Sequence, residues 1–326
     1  MKQKLMGMLF SAIFWSFLLS NAQAMTIEGK GFQQMKIGDI EAVVLSDGYI
    51  RISPIQPSMA PDITSKQLSG FLNGNDSDTQ SIDLAMNILL LKKGDKFILF
   101  DSGSGSDMGP TGGWLKDNLA IIGVSPEQIT DIVVTHAHMD HIAGLLDSNG
   151  KSIYPDANVY MTQIEYDFWM SENPDFSRSK SKDTAMVATM VKYIRNILTT
   201  LKPQIKLVAD KDILLDCIEV ELAPGHTPGH IISTVFSNKE KLVVMADIVH
   251  ATNILFANPR WGTAFDYDFN LGVETRLDIL KKLSATNNTV VFGYHQPYPG
   301  IGRIKQIANE SYEWVPADFA TPQLKD

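Results

Sequence analysis

Cysteine and positive charge are both scarce in this sequence. The 326 residues include one cysteine, Cys217, so an intrachain disulfide is impossible and a disulfide-stapled scaffold is excluded. Cys217 lies in the apolar run DILLDCIEV, which predicts an inert position in the core. Acidic residues number 37 against 28 lysines and arginines, and the formal net charge is −9. Because nucleic-acid binding favours a basic surface, this charge argues against a nucleic-acid partner.

Long hydrophobic runs are missing from the sequence after its N-terminal segment. That segment has two lysines, then an almost wholly apolar run from Leu5 to Leu19, then the small residues Ala-Gln-Ala ending at Ala24. This order is typical of a secretory signal peptide over residues 1–24. An uncleaved membrane anchor is the alternative, but the run is shorter than the roughly 20 residues of a spanning helix. We therefore expect a periplasmic or secreted chain of residues 25–326 with no membrane contact after cleavage.

Strand signals occur in two groups, and each group is accompanied by helical patterns. In the first group, IEAVVLSDG alternates, DLAMNILLLKKGDKFILFDSG has the pattern of a hairpin, and TDIVVTH is a short buried strand. In the second group, CIEVELAPGH, IISTVFS, KLVVMAD and TVVFGYH predict strands, VETRLDILKKL predicts an amphipathic helix, and GRIKQIANESYEWVP predicts a closing hairpin. Two sheets packed face to face with helices outside would bury this pattern. No linker divides it, so the sequence predicts a single α/β domain over residues 25–326.

A second helical pattern lies between these groups, from Thr184 to Leu201. Its apolar residues recur at helical spacing, so they can share one face. Two of them are Met186 and Met190, which we expect to pack in the core. The polar stretch SENPDFSRSKSKD before this helix predicts a loop.

The seven histidines are concentrated in short motifs, most of them at the ends of apolar strands. The motif THAHMDH contains four potential metal ligands: His136, His138, Asp140 and His141. His136 and His138 are two residues apart on an extended segment and project to the same side. Asp140 and His141 follow as the chain turns into a helix. The motif therefore offers two ligand pairs, and each pair needs a third ligand from elsewhere.

Three further strand ends supply candidates for the missing ligands. They are His226 in APGHTPGH, Asp247 in VMAD and His295 in FGYH. Each of them alone is more often a hydrogen-bonded or turn residue than a ligand. Together they predict a dinuclear centre, because imidazoles suit zinc and a shared carboxylate suits two ions. Of the other histidines, we expect His230 to hold the GHTPGH loop. The sequence does not decide whether His250 supports a metal ligand or lies on the surface.

The series of candidate ligands resembles the ligand set of the metallo-β-lactamase superfamily. The resemblance spans most of the mature chain and implies a four-layer αββα sandwich with two divalent ions of the zinc type at one edge. It assigns three ligands to each ion and one bridging carboxylate: His136, His138 and His226; Asp140, His141 and His295; and Asp247. Asp101 in FDSGSG resembles the family's Asp-x-Gly turn, which would orient the ligands from beneath the site.

Within the superfamily, the sequence is most similar to the methyl parathion hydrolase group. The segments LSDG, DMGPTGG, DFW, GHTPGH, PGIGRI and EWVP resemble segments of that group in the same order. The resemblance places Trp169 and Met108 in the substrate pocket. Met108 stands where methyl parathion hydrolase has an aromatic residue, and Arg303 stands where a histidine is expected. The resemblance also implies a homodimer.

The predicted centre indicates hydrolysis of a small-molecule substrate. Two divalent ions that share a water lower its pKa and give hydroxide near neutral pH. The hydroxide would attack a carbonyl carbon or a phosphorus, and the resemblance places Asp140 where it takes or passes a proton. Esters, lactones and phosphotriesters are the expected substrates, because an apolar mouth over a polar metal site suits neutral compounds.

Other functions remain open for the same ligand set. β-Lactam hydrolysis is disfavoured, because enzymes of that activity usually lack the bridging carboxylate that Asp247 supplies. Thioester hydrolysis fits the fold, although an exported enzyme would rarely meet cytosolic thioesters. A periplasmic zinc-binding protein without catalysis would need the ligands but no open coordination position. Such a protein should hydrolyse no activated ester faster than free zinc does.

Overall fold

Two mixed β-sheets packed face to face form the centre of the structure. The computed structural model describes residues 31–106, 109–286 and 289–318. The predicted signal peptide and Met108 therefore lie outside the described residues. Among those that are described, each sheet has seven strands.

The first sheet is built from the N-terminal half of the chain, and its strands are ordered as in the sequence. Its strands are β1 (Phe32–Ile37), β2 (Ile40–Ile52), β3 (Ile82–Lys93), β4 (Lys96–Phe100), β5 (Asp131–Val133), β6 (Asn158–Thr162) and β7 (Ile205–Val208). Strands β1 to β4 pair antiparallel, whereas β4 to β7 pair parallel. Parallel strands need crossover connections, so each of the last three pairs is separated by a long connection.

The second sheet is built from the C-terminal half and has the order β14-β13-β12-β11-β10-β9-β8. Its strands are β8 (Ile213–Leu214), β9 (Ile218–Leu222), β10 (Ile231–Ser237), β11 (Glu240–Val244), β12 (Val290–Phe292), β13 (Ile301–Ala308) and β14 (Ser311–Pro316). Only the β11–β12 pair is parallel among these described strands. The closing hairpin β13–β14 agrees with the pattern predicted from GRIKQIANESYEWVP.

Helices cover the outer faces of the two sheets. The α-helices are α1 (Ser65–Gly74), α2 (Leu115–Ile121), α3 (Met139–Ile142), α4 (Gln163–Met170), α5 (Thr184–Thr200) and α6 (Phe269–Ser284). Leu90 on the first sheet packs in one buried cluster with Ile194 and Ile197 of α5. Val243 on the second sheet packs in another with Leu280 of α6.

The core between the sheets comes from the opposite faces of the same strands. Leu89 and Leu91 flank Leu90 in the sequence and point the other way, into a buried cluster with Val235 and Val244. Burying each such side chain contributes about 1.5–3 kcal/mol relative to leaving it exposed. The predicted four-layer αββα sandwich is therefore confirmed. The predicted core position of Cys217 is also confirmed, because this side chain is buried in the same cluster.

Helix α5 differs from its prediction in one respect. Ile194, Ile197 and Leu201 face the core as expected, but Met186 near the N-terminal end of the helix is 50% exposed. Met190 packs against the core as expected, and both Met186 and Met190 line the cavity described below. The apolar stripe of α5 is thus divided between core and cavity, and its spacing alone does not separate the two. Within the described ranges, no helix has the length and apolar character needed to cross a membrane.

Candidate metal centre

The predicted metal ligands lie on loops that follow strands at one edge of the sandwich. His136, His138 and His141 follow β5, and His226 follows β9. Asp247 and His295 follow β11 and β12, which are parallel neighbours. The structure brings all seven predicted ligand side chains together.

The first group of ligand atoms consists of three histidine nitrogens. His136 Nε2 lies 3.1 Å from His138 Nδ1 and 3.2 Å from His226 Nε2. The ligand atoms of His136, His138 and His226 all lie within 4.8 Å of one another. Three imidazoles at this spacing match the ligand requirement of a zinc-type ion. We refer to these three residues as the three-histidine site.

The second group contains the carboxylate of Asp140 with His141 and His295. Their ligand atoms also lie within 4.8 Å of one another. His295 Nε2 and His141 Nε2 are each 3.5 Å from Asp140 Oδ2. We refer to these three residues as the Asp140 site.

Asp247 lies between the two groups. Its Oδ2 is 3.4 Å from His226 Nε2 and 3.1 Å from His295 Nε2, and its Oδ1 is 3.2 Å from His141 Nε2. One carboxylate therefore contacts ligands of both sites. This is the position that a bridging ligand requires.

Unpartnered atoms test whether metal ions fit this arrangement. His141 Nε2 and Asp247 Oδ1 are buried and have no hydrogen-bond partner. A buried polar atom without a partner costs about 1–3 kcal/mol, so such atoms need an explanation. Both atoms point into the same ligand cluster, and a metal ion between them would satisfy both. The donor set of imidazoles and carboxylates accordingly fits two divalent ions.

Burial and neighbouring charges set the protonation of the ligands. Burial lowers the pKa of His136 and of His138 well below the ordinary histidine value. Burial disfavours charge on Asp247, but the surrounding histidines, His141 and His295 foremost, hold the pKa of this carboxyl well below its usual range. Neutral imidazoles and an ionised carboxylate are the forms that bind metal.

The other ligand histidines are drawn toward their charged forms by carboxylates. Burial opposes charge on His226, but hydrogen bonds to Asp247 and Asp266 raise its pKa to about 9. Burial likewise opposes charge on His141, but Asp247 and other carboxylates raise its pKa well above the ordinary value. Metal ions and protons therefore compete for these nitrogens.

Asp101 lies beneath the centre, as the resemblance implied. Its Oδ1 accepts from the Thr135 backbone N–H at 2.8 Å, and its Oδ2 accepts from Thr135 Oγ1 at 2.8 Å. The same Oδ2 lies 2.8 Å from His141 Nδ1, which leaves His141 Nε2 facing the ligand cluster. The carboxylate thus fixes the tautomer and ring orientation of one ligand.

His230 and His250 have different roles, although both are buried. His230 Nδ1 contacts the Ala223 carbonyl at 3.0 Å, and its Nε2 accepts from the Asp247 backbone N–H at 3.2 Å. His230 therefore ties the GHTPGH loop to the Asp247 loop, a structural position in keeping with its prediction. His250 Nε2 lies 3.0 Å from Asp247 Oδ2, and its ring stacks on that of His295. His250 is therefore not a surface residue: it is 2% exposed, and it contacts the Asp247 carboxylate.

The sequence motifs did not reveal several residues that support the ligands. Asp266 Oδ1 lies 3.0 Å from His226 Nδ1, and its Oδ2 accepts from Arg276 Nη2 at 3.0 Å. Arg276 is 1% exposed and also donates to the Ile248 and Pro259 carbonyls. A charged residue in the middle of a predicted amphipathic helix gives no signal of burial. Only the fold brings it to the site.

A cavity of about 490 Å³ opens onto the metal ligands. Its polar wall includes Asp140, Asp247 and other members of the ligand cluster. The rest of its wall is largely apolar: Ile50, Ile52, Leu84, Phe176, Met186, Val187, Met190, Ala264 and Phe265. This volume falls within the usual range for sites that bind small molecules.

The prediction that Trp169 lines the pocket differs from the structure. Trp169 is 0% exposed, and it packs edge-on against the His138 ring at 6.0 Å between centroids, behind the ligand cluster. Its indole N–H needs an acceptor and finds one in Glu165 Oε1 at 2.7 Å, one helical turn earlier. That hydrogen bond turns the ring inward, and Phe176 and Phe265 supply the aromatic wall instead. Met108 is outside the described residues, and Arg303 is exposed on β13.

The chain belongs to the metallo-β-lactamase superfamily. The model of that superfamily matches residues 83–295, which include all seven ligand positions. Among curated proteins, none matches the chain.

Solved structures similar to this chain include metal-dependent hydrolases. AidC, described as a dizinc quorum-quenching lactonase in complex with the product N-hexanoyl-L-homoserine, is 36% identical with a TM-score of 0.85. That match covers 89% of this chain and 99% of AidC. The hydrolase AbOPH is 29% identical with a TM-score of 0.82, over 90% of this chain and 100% of its own. A probable metal-dependent hydrolase from Staphylococcus aureus, 22% identical with a TM-score of 0.65, shares the fold.

The family match and these neighbours support a metal-dependent hydrolase. A dizinc neighbour and the clustered histidine and aspartate side chains support two metal ions. The hydrolase neighbours support hydrolysis as the predicted reaction class. The dizinc neighbour and the clustered side chains support the predicted cofactor, two divalent metal ions.

Proposed function

We propose that this protein is a lactonase that opens N-acyl homoserine lactones with two zinc ions bound. The observation that carries the proposal is that a cavity of about 490 Å³ with a largely apolar wall opens onto a set of side chains that could hold two metal ions. The description of AidC as a dizinc lactonase bound to N-hexanoyl-L-homoserine supports the same substrate class. Aryl esters and phosphotriesters are the competing substrates.

The cavity wall suits the two parts of such a substrate. A lactone ring with its amide is polar and compact, whereas the acyl chain is a flexible hydrocarbon. Ile50, Ile52 and Leu84 form part of an apolar wall that would exclude water from the acyl chain. The ligand cluster occupies the polar wall, where the ring carbonyl would be held.

The residues of the chain have defined tasks in ring opening. When bound, two divalent ions supply a water of lowered pKa and a Lewis acid for the ester carbonyl. The water oxygen forms a bond to the carbonyl carbon, the ring C–O bond breaks, and the leaving oxygen takes a proton. Asp140 lines the cavity, and in this proposal its carboxylate passes that proton. The Tyr294 hydroxyl donates to the Asp140 backbone carbonyl at 2.6 Å and so fixes this residue.

A comparison of three substrates tests the proposal. The zinc-loaded protein is assayed with N-hexanoyl homoserine lactone, an aryl ester and an aryl phosphotriester. We expect kcat/KM for the lactone to exceed that for the phosphotriester by about 100-fold or more, a difference of about 2.7 kcal/mol in transition-state binding. His138→Ala and a chelated sample serve as controls and should lose the lactone activity.

Two outcomes of that comparison would overturn the lactonase proposal. Preference for the phosphotriester would place the chain functionally in the methyl parathion hydrolase group, which its sequence resembles. No turnover of any of the three compounds with two zinc ions bound would favour the zinc-binding protein without catalysis.

We also propose the cellular setting that the N-terminal residues indicate. Residues 1–24 would be removed during export, and residues 25–326 would act in the periplasm or outside the cell as a homodimer. The apolar run from Leu5 to Leu19 supports export. The intact mass of the protein recovered from its native compartment tests the cleavage site, and its mass in solution tests the dimer.

A further inference from the structure

A single buried carboxylate connects two of the loops that carry metal ligands. Glu165 lies in the first turn of α4, and it is 1% exposed. Its Oε1 accepts from the Ala137 backbone N–H at 2.9 Å and from Trp169 Nε1 at 2.7 Å. Its Oε2 accepts from Thr227 Oγ1 at 2.6 Å and from the Gly229 backbone N–H at 2.9 Å. A buried charge is stable only when it is well paired, and these four donors fill both oxygens.

Two of the donors to Glu165 are placed next to the ligands of one metal site. Ala137 stands between His136 and His138, and Thr227 directly follows His226. The two loops therefore meet on one carboxylate, and they carry all three histidines of the three-histidine site. In these loops Glu165 accepts hydrogen bonds from the Ala137 and Gly229 backbone N–H groups and from the Thr227 hydroxyl, and none of its hydrogen bonds goes to a ligand imidazole.

Close packing keeps these two loops in a fixed relation to α4. A Cβ added at Gly229 would lie 2.3 Å from the Glu165 backbone nitrogen, so the GHTPGH loop touches the helix directly. Thr162, the N-cap of α4, donates from Oγ1 to the Gly229 carbonyl at 2.9 Å. The loop is thus held at both its N–H and its carbonyl, and Glu165 supplies the connection to the neighbouring loop.

We propose that Glu165 is a positioning residue that sets the affinity of the three-histidine site for its metal ion. Its carboxylate fixes His226 relative to His136 and His138 without touching a ligand atom. This role differs from those of Asp101 and Asp266, which contact the rings of their ligands directly. The inference concerns metal binding and is independent of which ester the enzyme hydrolyses.

Replacement of Glu165 by glutamine separates charge from shape. Three of the four donors are N–H groups that cannot accept a hydrogen bond, so an amide nitrogen placed at either oxygen position faces at least one of them. The less costly orientation turns the amide nitrogen toward Thr227, whose hydroxyl can reverse, and leaves the Gly229 N–H unpaired. The loop that carries His226 is then released while the volume of the side chain is retained.

Asn87 holds a ligand loop of the Asp140 site by hydrogen bonds in the opposite direction, since its side chain donates where that of Glu165 accepts. Its side-chain nitrogen lies 2.9 Å from the Tyr294 carbonyl and 2.7 Å from the Gln296 carbonyl, on either side of His295. Aspartate at this position cannot donate, so Asn87→Asp releases the loop of the Asp140 site. The two variants should therefore weaken different ions.

The experiment measures zinc affinity by competition with a chromophoric chelator in the full mature chain. We expect Glu165→Gln to raise one of the two zinc dissociation constants by about 10–100-fold, the usual effect of losing a residue that holds metal ligands in position. The other constant should change less than about threefold. Glu172→Gln makes the same chemical change at an exposed position and should leave both constants unchanged.

Ligand-deleted backgrounds show which ion is affected. In His226→Ala, the three-histidine site is already broken, so Glu165→Gln should not weaken the remaining ion further. In His295→Ala, Glu165→Gln should have its full effect, and Asn87→Asp should have none. Melting of the chelated variants shows whether the fold has changed independently of metal.

The result that would overturn the proposal is equal weakening of both ions by Glu165→Gln, or the same loss in both ligand-deleted backgrounds. Either result would make Glu165 a general stabiliser of the fold. Unchanged zinc affinity in all backgrounds would also contradict the proposal, because the three-histidine geometry would then not depend on Glu165.

Discussion

At the scale of single residues, the ligands and their supports carry very different sequence signals. One short motif contains His136, His138, Asp140 and His141, and the spacing of these residues predicts that they bind metal together. Their buried partners are dispersed along the chain and share no spacing with the ligands they hold. The partner of His226 is Asp266, forty positions away, and only the packed fold makes them neighbours.

Trp169 shows the limit of reading aromatic residues from a resemblance. The DFW segment is compatible with a tryptophan that lines the substrate pocket and equally with a buried tryptophan that packs behind a metal ligand. The acceptor one turn earlier, Glu165, decides the matter, because a buried indole N–H needs a partner. Neither the composition of the segment nor its helical pattern gives the direction of that ring.

Asp101 gives a direct test of ligand orientation. In Asp101→Asn, one acceptor oxygen becomes a donor and must face either the Thr135 N–H or the His141 Nδ1–H. We expect zinc affinity at the Asp140 site to fall by about 10–100-fold. Asp95→Asn, in the exposed turn between β3 and β4, is the matched control, measured by the same chelator competition. Wild-type affinity in Asp101→Asn would show that His141 is oriented by other contacts.

At the scale of elements, apolar runs and their alternation specify the strands well. The hairpin of β3 and β4 and the closing hairpin of β13 and β14 appear where the patterns predict them. The contacts of helix α5 are harder to predict, because Ile194 on its apolar face packs in the core whereas Met186 lines the cavity. Periodicity identifies an apolar face but does not identify what the face contacts.

An ion pair between α6 and β9 gives a prediction for the stability of this layer. Burial raises the pKa of Glu221, but Lys282 and Lys211 outweigh it and lower that pKa below 4.5. A lowered carboxyl pKa stabilises the folded state above the unfolded pKa, and this contribution is lost as the pH falls through the folded pKa. Lys282→Met should therefore cost about 0.5 kcal/mol at neutral pH, a small value because the lysine is half exposed.

The matched control for this pair is Lys281→Met, which removes an equal charge from the same last turn of α6. Urea unfolding of both variants in chelator gives the difference in the free energy of unfolding. We expect the difference seen at neutral pH to disappear as the pH falls through the folded-state pKa of Glu221, because the protonated carboxyl no longer pairs with the lysine. A difference that is independent of pH would mean that Lys282 stabilises the helix by its aliphatic packing.

At the scale of the whole molecule, the sandwich explains why distant motifs form one centre. The ligand loops follow β5, β9, β11 and β12, which belong to two different sheets. The order of strands in the sequence predicts two such sheets, and the strand-end position of each ligand predicts that they meet at one edge. The cavity is less predictable, because its wall draws on β2, α5 and the loops beside them.

The central claim is that hydrolysis requires both metal sites, and a zinc titration of the metal-free protein tests it most directly. Bound zinc and the rate of N-hexanoyl homoserine lactone hydrolysis are measured on the same samples. We expect two zinc ions to bind and the rate to reach its maximum only when the second has bound. A maximal rate with only one zinc ion bound, or full binding with no hydrolysis of lactone, ester or phosphotriester, would contradict the account.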